Sequence, residues 1–323
     1  MKKTLYTFFI AGLASAIISC GGSDDSSGSS SSSDSTATTE SLSGNGVFIL
    51  AGLSGNILRS TNKGSSFDNS TSPTSKNLYG VAFGNSVFVV AGDNGTIVKS
   101  TDNGSSFDSI TTPTTNTLFG VGFGNNNFVA AGISGSIVKS NDNGATWDNA
   151  TSPTANYLRG VVFGNNTFVA VGDSGNIVRS DDGSSFDNVT SPVTTDLYGV
   201  GFGNSTFVAV GDNGTIVRST TENGSSWDNA TSPTTNNLYG VGFGNNIFVA
   251  VGDNGTIVRS TDNGSTWDNV TSPTSNFLIG IGFGYNTFVA AGTYGNILRS
   301  TDNGSSWDNA TSPTTSQLRG VGF

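Results

Sequence analysis

The chain has few of the groups that most enzymes use for chemistry. Its 323 residues include no histidine, one cysteine and one methionine, so the common general base and the common nitrogen and sulfur metal ligands are scarce. The glutamates are Glu40 and Glu222, and nearly every aspartate recurs at a fixed position of a repeat, with Asp196 as the main exception. General acid–base catalysis needs a carboxyl group whose surroundings differ from those of its copies. We therefore expect a non-catalytic protein with no cofactor and no metal site.

One set of variable residues has the chemistry to bind a ligand. At intervals of about 40 residues, a leucine is followed by an aromatic residue, an arginine or an isoleucine. Aromatic rings and guanidinium groups suit a planar, sugar-like or anionic ligand, through stacking and bidentate hydrogen bonds. The predicted ligand-binding residues are Tyr79, Phe119, Arg159, Tyr198, Tyr239, Ile279 and Arg319.

The charge balance narrows the choice of partner. The formal net charge is −10 at pH 7, whereas binding to a nucleic acid backbone needs clustered, uncompensated Lys and Arg. We therefore expect no nucleic-acid partner. The expected ligand is a protein or a glycan, and the chain is expected to be a monomer.

The elements that must position these residues are short strands in a repeat of about 40 residues. In the copy that starts at Leu238 we predict strand A over Leu238–Phe243, strand B over Phe248–Gly252, strand C over Thr256–Ser260 and strand D over Thr266–Thr271. Asn-Gly between strands B and C tolerates positive φ at both central positions of a type I′ turn, so consecutive strands should be antiparallel neighbours.

Four antiparallel strands in a repeat of this length are typical of a β-propeller blade. The first copy lacks its strand A, and a spare strand A, Leu318–Phe323, follows the last copy. That strand should pair beside Phe48–Gly52 and close the ring. The sequence thus predicts an all-β, seven-bladed propeller over residues 44–323, with an open array or a piece of a longer protein as the alternatives.

A motif between strands C and D carries a family resemblance. Residues 260–267, with Ser260, Asp262, Gly264 and Trp267, fit the pattern S-x-D-x-G-x-x-W, and all seven copies match it fully or with small departures. This resembles the Asp-box (BNR) repeat of sialidases, sortilin-type receptors and photosystem II assembly factors. In those families the motif is structural. We expect the carboxylate to accept hydrogen bonds from turn amides, the glycine to adopt positive φ and the aromatic ring to pack between sheets.

Each copy also has a basic residue at the end of strand C and an aspartate in strand D, for example Arg259 and Asp268. Counting outward from the hairpin places these two residues opposite each other. We favour seven cross-strand ion pairs over the alternative of a positive ring for an anionic partner.

The copies differ most in the connection from D to A and in the turn from B to C. In an up-and-down blade both lie on one face, which we call the DA/BC face, and loops on a rigid scaffold commonly carry function. If strand A is innermost, the seven predicted ligand-binding residues surround the mouth of the central channel on this face. The alternative is that they pack between blades or line the channel.

The first 43 residues indicate export and a tether. Residues 1–20 have a basic start, an apolar run and small residues before Cys20, as in a secretory signal peptide. The ending Ile17-Ile18-Ser19-Cys20-Gly21 resembles the bacterial lipobox, which implies lipidation of Cys20 and attachment to a membrane. Gly21 in place of Asp implies, by the same resemblance, a cell-envelope protein of the outer membrane. Residues 21–43 are rich in Ser and Gly and predict a disordered linker.

These features favour a lipid-anchored, non-catalytic propeller that binds a protein or glycan. A sialidase-like glycoside hydrolase is the enzymatic alternative, but that family needs three clustered arginines, and only Arg159 and Arg319 stand at non-repeated positions. The resemblance to the photosystem II factors implies a third hypothesis, an assembly factor for a membrane protein complex.

Overall fold

The computed structural model describes residues 46–323. The predicted signal peptide, the lipidation site Cys20 and the linker lie outside the described residues, as do the first two residues of the predicted propeller. Within the described part, no helix is long and apolar enough to cross a membrane.

The described residues form seven four-stranded antiparallel sheets, as the sequence predicts. In chain order the strands of the first three blades are β1 (Phe48–Gly52), β2 (Ile57–Ser60), β3 (Asp68–Asn69); β4 (Leu78–Gly84), β5 (Val87–Gly92), β6 (Ile97–Ser100), β7 (Asp108–Ile110); β8 (Leu118–Gly124), β9 (Asn127–Gly132), β10 (Ile137–Ser140), β11 (Asp148–Asn149).

The next three blades have β12 (Leu158–Gly164), β13 (Thr167–Gly172), β14 (Ile177–Ser180), β15 (Asp187–Val189); β16 (Leu197–Gly203), β17 (Thr206–Gly211), β18 (Ile216–Ser219), β19 (Trp227–Asn229); β20 (Leu238–Gly244), β21 (Ile247–Gly252), β22 (Ile257–Ser260), β23 (Asp268–Val270). The last blade and the closing strand have β24 (Leu278–Gly284), β25 (Thr287–Gly292), β26 (Ile297–Ser300), β27 (Asp308–Asn309) and β28 (Leu318–Gly322). The outer strands D are shorter than predicted, because the residues before them belong to the turn.

The ring closes as predicted. β28 pairs antiparallel with β1, with Ile49 opposite Gly322 and Leu50 opposite Val321, so the first blade has the order β28-β1-β2-β3. The seam is also joined on the outside, where the amide of Phe67 donates to the carbonyl of Thr311 over 3.1 Å. Closure gives β1 an inner neighbour, so the first blade has four strands like the other six.

Turn chemistry explains the B-to-C connections. In the second blade Asn94 and Gly95 have φ of 54° and 68°, and the amide of Thr96 donates to the carbonyl of Asp93 over 3.0 Å. These are the features of a type I′ hairpin turn. The equivalent turns of the seven blades also have positive φ at their last two residues. They span Leu53–Gly55, Asp93–Gly95, Ile133–Gly135, Asp173–Gly175, Asp212–Gly214, Asp253–Gly255 and Thr293–Gly295.

Strands A of neighbouring blades lie side by side around the centre. A Cβ added to Gly80 of β4 would lie 2.8 Å from the carbonyl oxygen of Phe119 in β8, so glycine is required for this close approach. Strand A is therefore innermost, which is the condition under which the seven predicted ligand-binding residues surround the channel mouth.

The core lies between blades. Trp267, only 5% exposed, packs with Phe248 of its own blade and Val208 of the preceding blade. Each fully buried side chain of this size contributes on the order of 1.5–3 kcal/mol. Stability is thus distributed over seven equivalent seams among the described residues.

The turn between strands C and D has the geometry expected from its motif. In the third blade the Asp142 carboxylate accepts hydrogen bonds from the amide of Thr146 over 2.9 Å and its hydroxyl over 2.6 Å. The Ser140 hydroxyl accepts one from the amide of Gly144 over 2.9 Å, whose φ is 75°. The indole of Trp147 is buried. The motif thus serves the blade's own architecture.

The prediction of cross-strand ion pairs is wrong, although the register behind it is right. Arg259 does face Asp268, but the described residues contain ion pairs at two places only, neither of them between strands C and D. Instead, Nε of Arg259 donates to the carbonyl of Asn303 in the next blade over 2.7 Å. The long side chain reaches past its cross-strand neighbour to a turn carbonyl, which has no other partner in its own hairpin.

The same link recurs at several other seams, but Nε of Arg218 has no hydrogen-bond partner among the described residues. Arg59 donates to the carbonyl of Asn103 over 2.8 Å, and Arg299 donates to that of Lys63 over 2.9 Å across the closing seam. These basic residues therefore connect blades, and they are not free to form a positive ring for a partner.

Candidate ligand-binding face

The DA connections and BC turns do lie on one face. In every blade, the amide of the first BC-turn residue donates to the carbonyl of the residue that precedes strand A, as from Asp93 to Asn77 over 2.9 Å. The turn also packs on the DA connection of the next blade, where a Cβ on Gly95 would clash with the carbonyl of Thr114. The DA/BC face is thus a continuous surface in which each turn touches two connections.

The seven predicted ligand-binding residues form a ring on this face. Ring centroids are 5.3 Å apart between Tyr79 and Phe119 and 5.3 Å apart between Tyr198 and Tyr239. The Arg159 guanidinium carbon is 5.7 Å from the centroid of the Phe119 ring and 5.3 Å from that of Tyr198. Their side chains are half-buried. Contact between neighbouring blades, one of the two alternatives to ligand binding, is therefore part of their role.

Several of these side chains are also held by a carboxylate that the sequence analysis did not assign to the site. The hydroxyl of Tyr79 donates to Asp93 over 2.7 Å, and that of Tyr198 donates to Asp212 over 2.6 Å. Arg159 forms an ion pair with Asp173, in which Nη2 lies 3.2 Å from Oδ2. Each carboxylate is the first residue of the BC turn in the same blade.

A signal for this pairing exists in the sequence. The two positions are separated by 14 residues, as between Tyr79 and Asp93, and they vary together from copy to copy. Four polar residues of the ring stand with aspartate, whereas Phe119 stands with Ile133, Ile279 with Thr293 and Arg319 with Leu53. When the seven copies are compared one position at a time, two positions that vary together are not recognised as a pair.

The tyrosine–aspartate pairs shift the titration of the phenols. Burial and the neighbouring Asp253 carboxylate raise the pKa of Tyr239 to about 12. Burial and the hydrogen bond with Asp212 likewise raise the pKa of Tyr198. Both hydroxyls stay protonated at neutral pH, and that of Tyr198 donates to a carboxylate within the fold.

The side chains most available to a ligand lie just outside the ring. Tyr294 in a BC turn is 75% exposed, and Phe277 and Tyr157 at the ends of DA connections are 42% and 39% exposed. Aromatic residues are enriched at surfaces where proteins bind proteins. Of the ring residues, Arg159 contacts Tyr157, its guanidinium carbon lying 5.8 Å from that ring.

Metal-ligating side chains are not clustered among residues 46–323. No group of three or more acidic, histidine or cysteine side chains is placed to hold a metal ion there. Arg159 and Arg319, the two arginines of the ring, belong to the fourth and first blades, and no third arginine joins them on this face.

Solved structures with a similar fold include other propellers. "YCF48 bound to D1 peptide" is 20% identical with a TM-score of 0.60, covering 73% of this chain and 81% of that chain. "YCF48 from Cyanidioschyzon merolae" is 16% identical with a TM-score of 0.60, covering 77% and 95%. The computationally designed Ika8 protein is 13% identical with a TM-score of 0.63, covering 85% and 86%. At these identities the likeness concerns the fold alone.

No curated protein matches the chain. A family model does match it, that of the DUF6242 beta propeller domain, in two overlapping placements over residues 123–239 and 200–318. The matched residues together make up more than half of the chain and include blades with the ring residues and their turn carboxylates. The chain therefore belongs to the DUF6242 beta-propeller family.

Proposed function

We propose that this protein is a non-catalytic binding scaffold that recognises a peptide segment of a partner protein on its DA/BC face. The observation that carries the proposal is the set of exposed aromatic side chains, Tyr157, Phe277 and Tyr294, on the face where the copies differ most. Aromatic residues bury large areas with little loss of conformational entropy, and they are enriched where proteins bind proteins.

Two further observations support a peptide as the ligand. One structure with a similar fold is YCF48 with a D1 peptide bound, so a propeller of this shape is compatible with peptide binding. The opposite face, by contrast, uses its polar groups internally, as where the amide of Asn85 donates to Asn143 over 2.8 Å. A role in the assembly of a membrane protein complex is a narrower form of this proposal.

A display experiment tests the face. The purified propeller is used to select binders from a phage-displayed library of random linear peptides. We expect selected peptides to lose most of their affinity for a Tyr157→Ala, Phe277→Ala, Tyr294→Ala variant. The matched control is Ser65→Ala, Ser105→Ala, Ser305→Ala, which removes three exposed side chains from the opposite face. Equal loss in both variants would remove the DA/BC face from the proposal.

Two other outcomes would replace the proposal. Binding to a glycan array with no peptide enrichment would favour a glycan as the ligand. Turnover of fluorogenic sialosides or other glycosides would contradict the non-catalytic role, since hydrolysis needs a paired acid and nucleophile or base.

We further propose that the protein is anchored in the cell envelope, at the outer membrane, through lipidated Cys20. The lipobox-like sequence 17–21 supports this. Metabolic labelling with an alkyne fatty acid should mark the wild type, and Cys20→Ala should abolish labelling and release the protein from membranes. Retained label in Cys20→Ala would contradict the assignment of the lipidated residue.

A further inference from the structure

Arg319 differs from its equivalent in another blade, although the two residues occupy the same position of the repeat. Arg159 is neutralised by Asp173, whereas the turn residue at the matching position of the first blade is Leu53. Nε of Arg319 is buried and makes no hydrogen bond within residues 46–323. The guanidinium carbon lies 5.2 Å from the centroid of the Tyr79 ring, a contact that orients the cation and leaves its charge uncompensated.

The acidic residue nearest to that contact is already occupied. Asp93 accepts hydrogen bonds from the Tyr79 hydroxyl over 2.7 Å and from the Asn77 amide over 2.9 Å. The BC turns of the last and first blades contain no Asp or Glu, and neither do residues 271–277 and 311–317, the two DA connections beside them. This sector differs from the remainder of the face, where turn aspartates are frequent.

Apolar side chains lie in the last blade, whose backbone packs against that of Arg319. Ile279 is the ring residue of the last blade, and its neighbour Gly280 packs directly on the carbonyl of Arg319. The turn that carries Tyr294 packs through Gly295 on the connection leading to β28, and the carbonyl of Phe277 accepts the amide of Thr293 in the same turn over 2.9 Å. We call Phe277, Ile279, Tyr294 and Arg319 the blade 7/1 subsite.

We infer that the blade 7/1 subsite binds a carboxylate of the partner peptide at Arg319, with an apolar or aromatic peptide residue beside it on Tyr294 and Phe277. The inference rests on the proposed function and specifies its ligand. A guanidinium presents paired donors that match a carboxylate. A ligand carboxylate would thus take the place that Asp173 takes beside Arg159. The carboxylate belongs to an Asp or Glu side chain or to a peptide C-terminus.

The decisive variant adds the missing partner without removing the arginine. Leu53→Asp places a carboxylate where the fourth blade has Asp173, and we expect it to compete with the ligand. Ile133→Asp is the matched control, because it adds the same charge at the same turn position of the third blade, which has Phe119 in place of an arginine. Arg319→Ala removes the cation itself.

The same phage-displayed library is selected on each of these proteins after circular dichroism has shown that each is folded. The wild type and Ile133→Asp should enrich peptides with an acidic residue next to an apolar one, and Leu53→Asp and Arg319→Ala should lose that preference. Loss of the charged hydrogen bonds corresponds to affinity about 10-fold to 100-fold weaker for a given acidic peptide. Equal loss in Ile133→Asp and Leu53→Asp would overturn the inference.

A measurement on the wild-type protein keeps the test independent of folding defects. Synthetic copies of the selected peptides are compared with their Glu→Gln and Asp→Asn forms, and free-acid with amidated C-termini, by fluorescence anisotropy. Weaker binding on either change supports the inference and identifies the source of the carboxylate. Peptides that bind through the exposed aromatic residues with no dependence on a carboxylate would overturn the inference and leave the proposed function standing. No enriched peptide at all would overturn both.

Discussion

The two faces of the propeller use the same kinds of residue in different ways. On the face of the C-to-D turns, Asp, Ser and Gly bond within one hairpin and basic residues reach to the next, so the copies are nearly uniform. On the DA/BC face, ring residues bond to turn carboxylates in some blades and not in others. Positions that are the same in all copies are thus those that the structure of the blade requires. Positions that vary among the copies form the surface available for binding a ligand.

The largest expected effect comes from the aromatic residue of the C-to-D turn. Trp267→Ala removes a buried ring from the seam with the preceding blade and should lower the free energy of unfolding by about 3–5 kcal/mol. Urea denaturation followed by fluorescence measures the change. A loss below about 1 kcal/mol would mean that the motif does little for the blade, which would reverse the comparison of the two faces.

Acid should weaken the C-to-D turns. Hydrogen bonds from the side chain and amide of Thr146 lower the pKa of Asp142 to about 2, compared with about 3.9 in an unfolded chain. The resulting stability is present above about pH 4 and is lost as the pH falls towards 2. Thermal midpoints measured over this range should fall, and they should fall less in Asp142→Asn. An unchanged slope in that variant would contradict this origin of the acid sensitivity.

Alkaline pH should remove a stabilising contribution from the DA/BC face. Burial and Asp253 raise the pKa of Tyr239 to about 12, against about 10 in an unfolded chain. Its contribution to stability is present below about pH 10 and is lost as the pH rises through 12. Tyr239→Phe should cost about 0.5–1.5 kcal/mol at neutral pH and remove one late step from the tyrosinate absorbance titration. Loss of a step near pH 10 instead, the value of an unperturbed tyrosine, would show that Asp253 does not hold Tyr239.

The smallest expected effect on stability belongs to the most exposed aromatic residue. Tyr294→Ala should change the free energy of unfolding by less than about 0.5 kcal/mol, because the side chain is 75% exposed. The same change should weaken binding of selected peptides. A stability loss of the size expected for Trp267→Ala would place Tyr294 among the structural residues and remove it from the site.

Much of the fold could be predicted from the sequence, because its signals are local and repeated. Asn94-Gly95 specifies a hairpin, and the spare strand before the end of the chain specifies the pairing of β28 with β1. The absence of cross-strand ion pairs could not be predicted. Register aligns the Cα atoms of Arg259 and Asp268 but does not fix where a long side chain ends. A carbonyl in the neighbouring blade is the better partner, and the sequence of one blade does not contain it.

The site was predicted in part. The ring residues were found because they vary among copies, yet their turn carboxylates were treated as a separate variable set. The joint variation of Tyr79 and Asp93 among the copies could have indicated their pairing, whereas the structure shows the bond itself and the lack of such a partner for Arg319. The binding of a ligand at these residues stays a prediction.

The closing pair of β1 and β28 also has a consequence for folding. Until residues 318–322 have been synthesised, β1 lacks its inner neighbour, while near-identical strands such as β20 are already present and carry the same Leu-x-Gly-Val-Gly pattern. Any of these strands offers β1 a competing partner in the same register. Near-identity of the blades therefore makes the last strand a kinetic checkpoint, at which correct closure competes with exchange of strands within and between chains.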